Sequence, residues 1–169
     1  LVDRGIPVIV ADARAGSRRR WWSLLRTVSP SRTMWHRRRE AYDFYSLAAW
    51  RRNTRRNGRI VDRVLRPGDK VFQIGGLYFP HPRFRELEYY LFFTYTMRLA
   101  LRDRFSPWVV ARREVDAFLA LEEDLYRHAA GIFVSASFVK EHLVADYGIS
   151  PDRVTVAGLS MGGVMAAWA

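Results

Sequence analysis

The sequence has no cysteine, only two lysines, and no apolar run near the roughly 20 residues that a membrane-spanning helix needs. The missing cysteines exclude a disulfide framework, cysteine-ligated zinc, iron–sulfur clusters and thiol catalysis. The short apolar runs exclude a transmembrane helix within these residues. Acidic residues are scarce in one part only: residues 1–70 hold 18 basic and 6 acidic side chains, whereas residues 71–169 hold 10 and 11. The net charge of +11 therefore comes entirely from the first part. The chain opens at Leu1 without a signal peptide and closes at Ala169 inside an apolar stretch, so it reads as a fragment cut at both ends.

What is present is enough for one core. The 169 residues are 49% hydrophobic and 27% charged, which suits a single folded domain and argues against global disorder. Of the 28 basic residues 26 are arginine. They cluster as Arg18-Arg19-Arg20, Arg37-Arg38-Arg39, Arg51-Arg52 and Arg55-Arg56, beside Trp21, Trp22, Trp35 and Trp50. The commonest origin of such runs is a solvated basic face. An anionic membrane surface contacted by residues 14–66 comes next, at about 1 kcal/mol per basic residue. Nucleic acid ranks below both, because no recognised binding module accompanies the charge, and no specific nucleic-acid partner is expected.

Along the chain, Ile6 to Ala11 reads as a buried strand after a glycine stop at Gly5. Residues 12–33 read mainly as a connection. A long helix is expected from about Ser31 to the mid-50s, with Met34, Ala41, Tyr45 and Ala48 near one face and a stop or break at Asn57-Gly58. A further turn runs through Ile60, Val61 and Val64, and Pro67-Gly68-Asp69 forms a turn. Val71 to Ile74 is a strand ending at Gly75-Gly76, and Tyr89 to Tyr95 is a second. A short helix is expected over 96–104. The clearest helix carries Val115, Phe118, Leu119, Leu125, Tyr126 and Ala129 on one face. Ile132 to Val134 is a strand, followed by a serine-capped helix from about Phe138 to Asp146 that Gly148 stops. Val154 to Ala157 is the last strand. Alternating short strands and helices imply an α/β domain, a Rossmann-like parallel sheet with helices on both faces.

Ligands of such sheets bind beyond the carboxyl ends of the strands. Gly75 and Gly76 permit close backbone approach there, or simply a tight turn. His81 in the following loop is the one candidate for a base, against the plain alternative of an exposed loop histidine. Ser135 and Ser137 sit at a strand end and helix start, where free N–H groups favour anions or sugar hydroxyls or where a serine merely caps; Lys140 adds charge one turn later. Glu122 falls inside the apolar stripe and needs hydrogen-bond partners, which the backbone or the serines near 135–137 could supply; its expected role is structural support. Gly158-Leu159-Ser160-Met161-Gly162 fits G-x-S-x-G, the nucleophile elbow of α/β-hydrolases, with Ser160 as the nucleophile. The acid and histidine of that family come after the serine in sequence, and only six residues follow Gly163. No metal site is expected.

The stretch Leu121-Glu122-Glu123-Asp124-Leu125-Tyr126-Arg127-His128-Ala129-Ala130-Gly131-Ile132-Phe133-Val134-Ser135 resembles the E-x-x-x-Y-x-x-A-D-x-I/V-x-x-x-S region of GT-B glycosyltransferases of the group 1, family 4 type. Phe138 to Leu143, Asp146 to Ile149 and Pro151 to Val156 are similar to the final helix and strand of the N-terminal domain in those enzymes. Gln73-Ile74-Gly75-Gly76, Tyr89 to Met97 and the opening Leu1 to Val8 also resemble members of the family. The chain departs from the pattern at Ala130, at Thr94 where a carboxylate is expected, and after Ala157. The resemblance implies that residues 1–169 are one incomplete Rossmann-like N-terminal domain on the acceptor side, without the donor-binding C-terminal domain. It implies sugar transfer from a nucleotide-sugar co-substrate, with no other cofactor, to a sugar or lipid-linked acceptor hydroxyl, at a cleft including Gly75, Gly76, His81, Ser135, Ser137 and Lys140. The fragment alone would be inactive. The expected location is cytoplasmic, at the inner face of the membrane where the basic residues find an anionic surface. The alternative function is an esterase fragment using Ser160.

Overall fold

A computed structural model describes residues 8–10, 27–102 and 111–157. The expected Gly158–Gly163 elbow with Ser160, and the first of the arginine clusters, lie outside the described residues.

Helix α1 (Arg32–Asp43) begins where Ser31 accepts a hydrogen bond from the Met34 N–H at 3.4 Å. The single long helix expected here is two. Ser46, in extended conformation, caps a new helix by accepting from the Ala49 N–H at 3.1 Å, and α2 (Leu47–Val64) follows. The Glu114 carboxylate also accepts from the Leu47 N–H at 3.1 Å. The last carbonyls of α1 are taken by α2: Arg52 donates to Tyr42 O, and Asn53 Nδ2 to Asp43 O at 3.0 Å.

The stop expected at Asn57-Gly58 does not occur, and α2 runs six residues past Gly58. The glycine serves a contact instead. A Cβ there would lie 2.5 Å from Pro82 Cδ and 3.0 Å from His81 Cδ2. Gly58→Ala is therefore expected to destabilise the protein by about 1–2 kcal/mol, the overpacking strain outweighing roughly 1 kcal/mol of gained helix propensity. Urea unfolding of the variant checks this; an unchanged or raised midpoint contradicts it.

Strand β1 (Val71–Ile74) follows the Pro67-Gly68 turn, in which Asp69 accepts from the Arg66 N–H at 2.7 Å. A loop with a short 3₁₀ turn (Phe84–Glu86) leads to β2 (Tyr89–Phe93). That strand stops two residues before Tyr95 because Thr96 caps the next helix, accepting from the Leu99 N–H at 3.1 Å; α3 (Met97–Arg102) is that helix. Then come α4 (Val115–His128), β3 (Gly131–Val134), α5 (Ser137–Tyr147) and β4 (Val154–Val156). Gly148, at φ 64°, closes α5 in the left-handed conformation that glycine adopts without strain.

The four strands form one parallel sheet in the order β1-β2-β3-β4. Tyr89, Leu91, Phe93, Ile132, Val134 and Val154 point to one face and join Trp50, Phe118, Leu125, Tyr126, Val139 and Leu143 in the core. The other face behaves differently. Phe72 and Ile74 are 57% and 73% exposed, and Tyr90, Phe92 and Phe133 are half-buried. The expectation of helices on both faces is thus corrected for the described residues: the α/β parallel sheet is present, and its helices pack on one face. Right-handed crossovers that always step in the same direction put every connection on the same side. Of the strand expected at Ile6 to Ala11, Ile6, Pro7 and Ala11 lie outside the described residues, and the rest is corrected. Val8, Ile9 and Val10 pair with no strand and stand exposed, since an apolar run is a strand only where an edge accepts it.

Candidate functional site

Because all four strands are parallel, their carboxyl ends share one end of the sheet. Gly75 continues from β1, its N–H donating to Phe92 O at 2.8 Å. It adopts φ 99°, and a Cβ there would meet nothing within 4 Å, so the residue is fixed by backbone conformation and faces open space. Gly76 is crowded, since a Cβ would lie 3.2 Å from the Tyr126 hydroxyl. The Gln73 amide closes the turn, donating to Gly75 O at 2.8 Å and Tyr78 O at 2.9 Å. Its Oε1 is buried and has no partner among the described residues.

Ser135 and Ser137 stand beyond β3, two strands from the glycines, or about 10 Å at the usual strand spacing. The expected serine cap is absent. The residue at the cap position of α5 is Ala136, which makes no side-chain cap, and neither serine hydroxyl is hydrogen-bonded among the described residues. Ser137 and Lys140 line an open cavity of about 430 Å³ with Glu141, Val144, Pro151 and Val156, between α5 and the outer strand β4. The structure therefore brings Gly75, Gly76, Ser135 and Ser137 to one end of the sheet, and places Lys140 on its β4 flank.

His81 does not join them. It is buried against α2, with Nε2 3.1 Å from Asp62 Oδ1 and Nδ1 accepting the Arg83 N–H at 2.9 Å. Both ring nitrogens are engaged, so this histidine is a clamp between loop and helix. Glu122 is also apart from the serines. Its Oε1 accepts from the Met97 N–H at 2.7 Å and the Tyr126 hydroxyl at 2.9 Å, and its Oε2 accepts from the Tyr147 hydroxyl. Burial pushes the Glu122 carboxyl above the usual range, and these donors only partly offset it. Burial likewise raises the Tyr126 and Tyr147 hydroxyls, with the Glu122 carboxyl adding to the effect. Sequence reasoning missed the two tyrosines and the capping role toward α3. Tyr126 at i+4 was the available signal.

The described part of the basic region is a band on α2. Arg51, Arg55, Arg59 and Arg63 recur every four residues, are exposed, and form no ion pair among the described residues. Between the first two, Trp50, Thr54, Phe79, Pro82 and Leu121 line a shallow cavity of about 160 Å³. Among the described residues no group of three or more His, Asp or Glu side chains could hold a metal ion, and no helix is long and apolar enough to cross a membrane.

Comparison of the chain with protein-family models, curated proteins and solved structures found no match.

Proposed function

We propose that the chain is the acceptor-side lobe of a glycosyltransferase of GT-B type, moving a sugar from a nucleotide-sugar to an acceptor hydroxyl. The observation that carries this reading is the placement of Gly75-Gly76 and of the uncommitted Ser135 and Ser137 hydroxyls at the same end of a parallel sheet. That is the end at which such sheets take ligands. In this role the two serines and the first N–H groups of α5 hold acceptor hydroxyls by hydrogen bonds. The Gly75 backbone lets the acceptor or donor approach β1 closely, and a preorganised set of donors on the facing lobe stabilises the leaving diphosphate. His81 is left out of the chemistry, because both its nitrogens are engaged.

The test is turnover of UDP- or GDP-hexose by the protein expressed with its flanking coding sequence, using lipid-linked and soluble acceptors. Nucleoside diphosphate release that Ser135→Ala and Ser137→Ala reduce supports the reading; none with any donor removes it. A second reading, an esterase using Ser160, is favoured by one observation: β4 ends two residues before Gly158, as an elbow requires. Labelling of Ser160 by a fluorophosphonate decides for it.

The arginine band of α2 supports contact with an anionic lipid surface at the inner face of the membrane. At about 1 kcal/mol per basic residue, Arg55→Ala is expected to weaken sedimentation with anionic vesicles about fivefold at low salt. Absence of binding by the unaltered protein at low salt removes the idea.

A further inference from the structure

No acidic residue lies between Asp43 and Asp62, yet Arg51, Arg52, Arg55, Arg56 and Arg59 all fall in that stretch. Asp62 itself is taken by His81 and Arg83. Arg51 and Arg55 stand one turn apart on α2, exposed and without an ion pair among the described residues. Like charges at that spacing repel, and no described carboxylate offsets them. The band they open is not flat. Each step of four residues advances about 6 Å along the helix and about 40° around it, so from Arg51 to Arg63 it winds by about 120°. Its two ends also differ in what lies beside them. Arg51 and Arg55 line the cavity of about 160 Å³, whose apolar walls are Phe79 and Pro82 from the loop before β2 and Leu121 from α4. Arg59 and Arg63 line no part of it, and neither does any carboxylate.

We propose that this cavity is a binding site for a phosphate monoester carried on an apolar chain, the headgroup of a lipid of the phosphatidic acid class. The planar guanidinium fork matches phosphate oxygens and donates two hydrogen bonds at once. Two such forks beside one recess favour a group of nearly two negative charges. A phosphate monoester carries about −1.5 to −2 at neutral pH, whereas a diester headgroup has no second proton to lose. The cavity holds the share of about five liquid waters, room for a phosphate and the first carbons attached to it. Its apolar walls favour a ligand with hydrocarbon next to the phosphate over free inorganic phosphate. This inference rests on the reading of α2 as a lipid-facing helix, and adds which headgroup that helix selects.

The test is binding of the full chain at low salt to two sets of phosphatidylcholine vesicles, one containing phosphatidic acid and one phosphatidylglycerol, matched in surface potential. Tighter binding to the phosphatidic acid vesicles by about tenfold is expected. The double variant Arg51→Ala, Arg55→Ala is expected to lose that preference. The charge-matched double variant Arg59→Ala, Arg63→Ala is expected to bind both sets more weakly and to keep it. All four positions are exposed, and circular dichroism checks that both variants fold. Equal binding to the two vesicle sets overturns the phosphate site and leaves the lipid-facing helix standing. A preference that survives Arg51→Ala, Arg55→Ala, or is lost equally in both double variants, also overturns it. So does inorganic phosphate that displaces the protein from phosphatidic acid as well as short-chain phosphatidic acid does, which assigns the recess to the free ion. Absence of binding to either set removes the lipid-facing reading and this inference together.

Discussion

Glu122→Ala is expected to lower the free energy of unfolding by about 3–5 kcal/mol, measured by urea titration at neutral pH. The side chain is 1% exposed and is the shared acceptor of three donors. Removing it leaves the Met97 N–H and the Tyr126 hydroxyl buried without that acceptor, leaves the Tyr147 hydroxyl with Thr96 alone, and empties a space in the core. The three donors come from α3, α4 and α5, so one carboxyl joins three helices. Glu122→Gln tests the same network from the other side. Burial raises the Glu122 pKa, so the folded state keeps a proton that the unfolded chain releases. The stabilisation is full below the ordinary carboxylate range and is lost as pH rises through the folded value. A glutamine side chain at this position has no proton to lose. The Glu122→Gln variant should stay within about 1 kcal/mol of the parent and remove that part of the pH slope. A Glu122→Ala loss under about 1 kcal/mol would sink this account of the network.

Trp50→Ala is expected to cost about 3–5 kcal/mol by the same measurement. Its ring is 1% exposed and meets Phe79 edge-on at 5.3 Å and Phe118 at 5.1 Å. Those two rings belong to the loop before β2 and to α4, so Trp50 fastens α2 to both. The indole N–H has no partner among the described residues. Trp50→Phe therefore removes an unsatisfied donor along with some volume, and should cost about 1–2 kcal/mol. Equal losses for Ala and Phe would show that the ring's packing is not what matters.

The elements set by local pattern were legible. Each of β1, β3, β4 and α4 lies within one or two residues of its expected bounds, because an apolar run closed by glycine, or a 3.6-residue stripe, is written in consecutive residues. Features set by distant contacts were not. Gly58 looks like a helix stop in sequence. Only the approach of Pro82 and His81, more than twenty residues on, shows why the helix tolerates it. Ser46 is hidden in sequence because Tyr45 and Ala48 extend the apolar stripe across it. His81 looks like a loop histidine until Asp62 is seen beside it. At the candidate site the strand-end positions of Gly75, Gly76, Ser135 and Ser137 were readable. The absence of a serine cap was not, because it depends on where the α5 backbone turns.

The strand order has a consequence for how the molecule assembles. Among the described residues each strand lies beside the one just before it in the chain, so none of these four waits for a partner that is made later. On the ribosome, where domains emerge amino end first, β2 finds β1 already released, and β3 and β4 then dock in turn on a growing edge. Pairing neighbours in sequence keeps loop closure short for a parallel sheet, the architecture in which such closures are usually slowest.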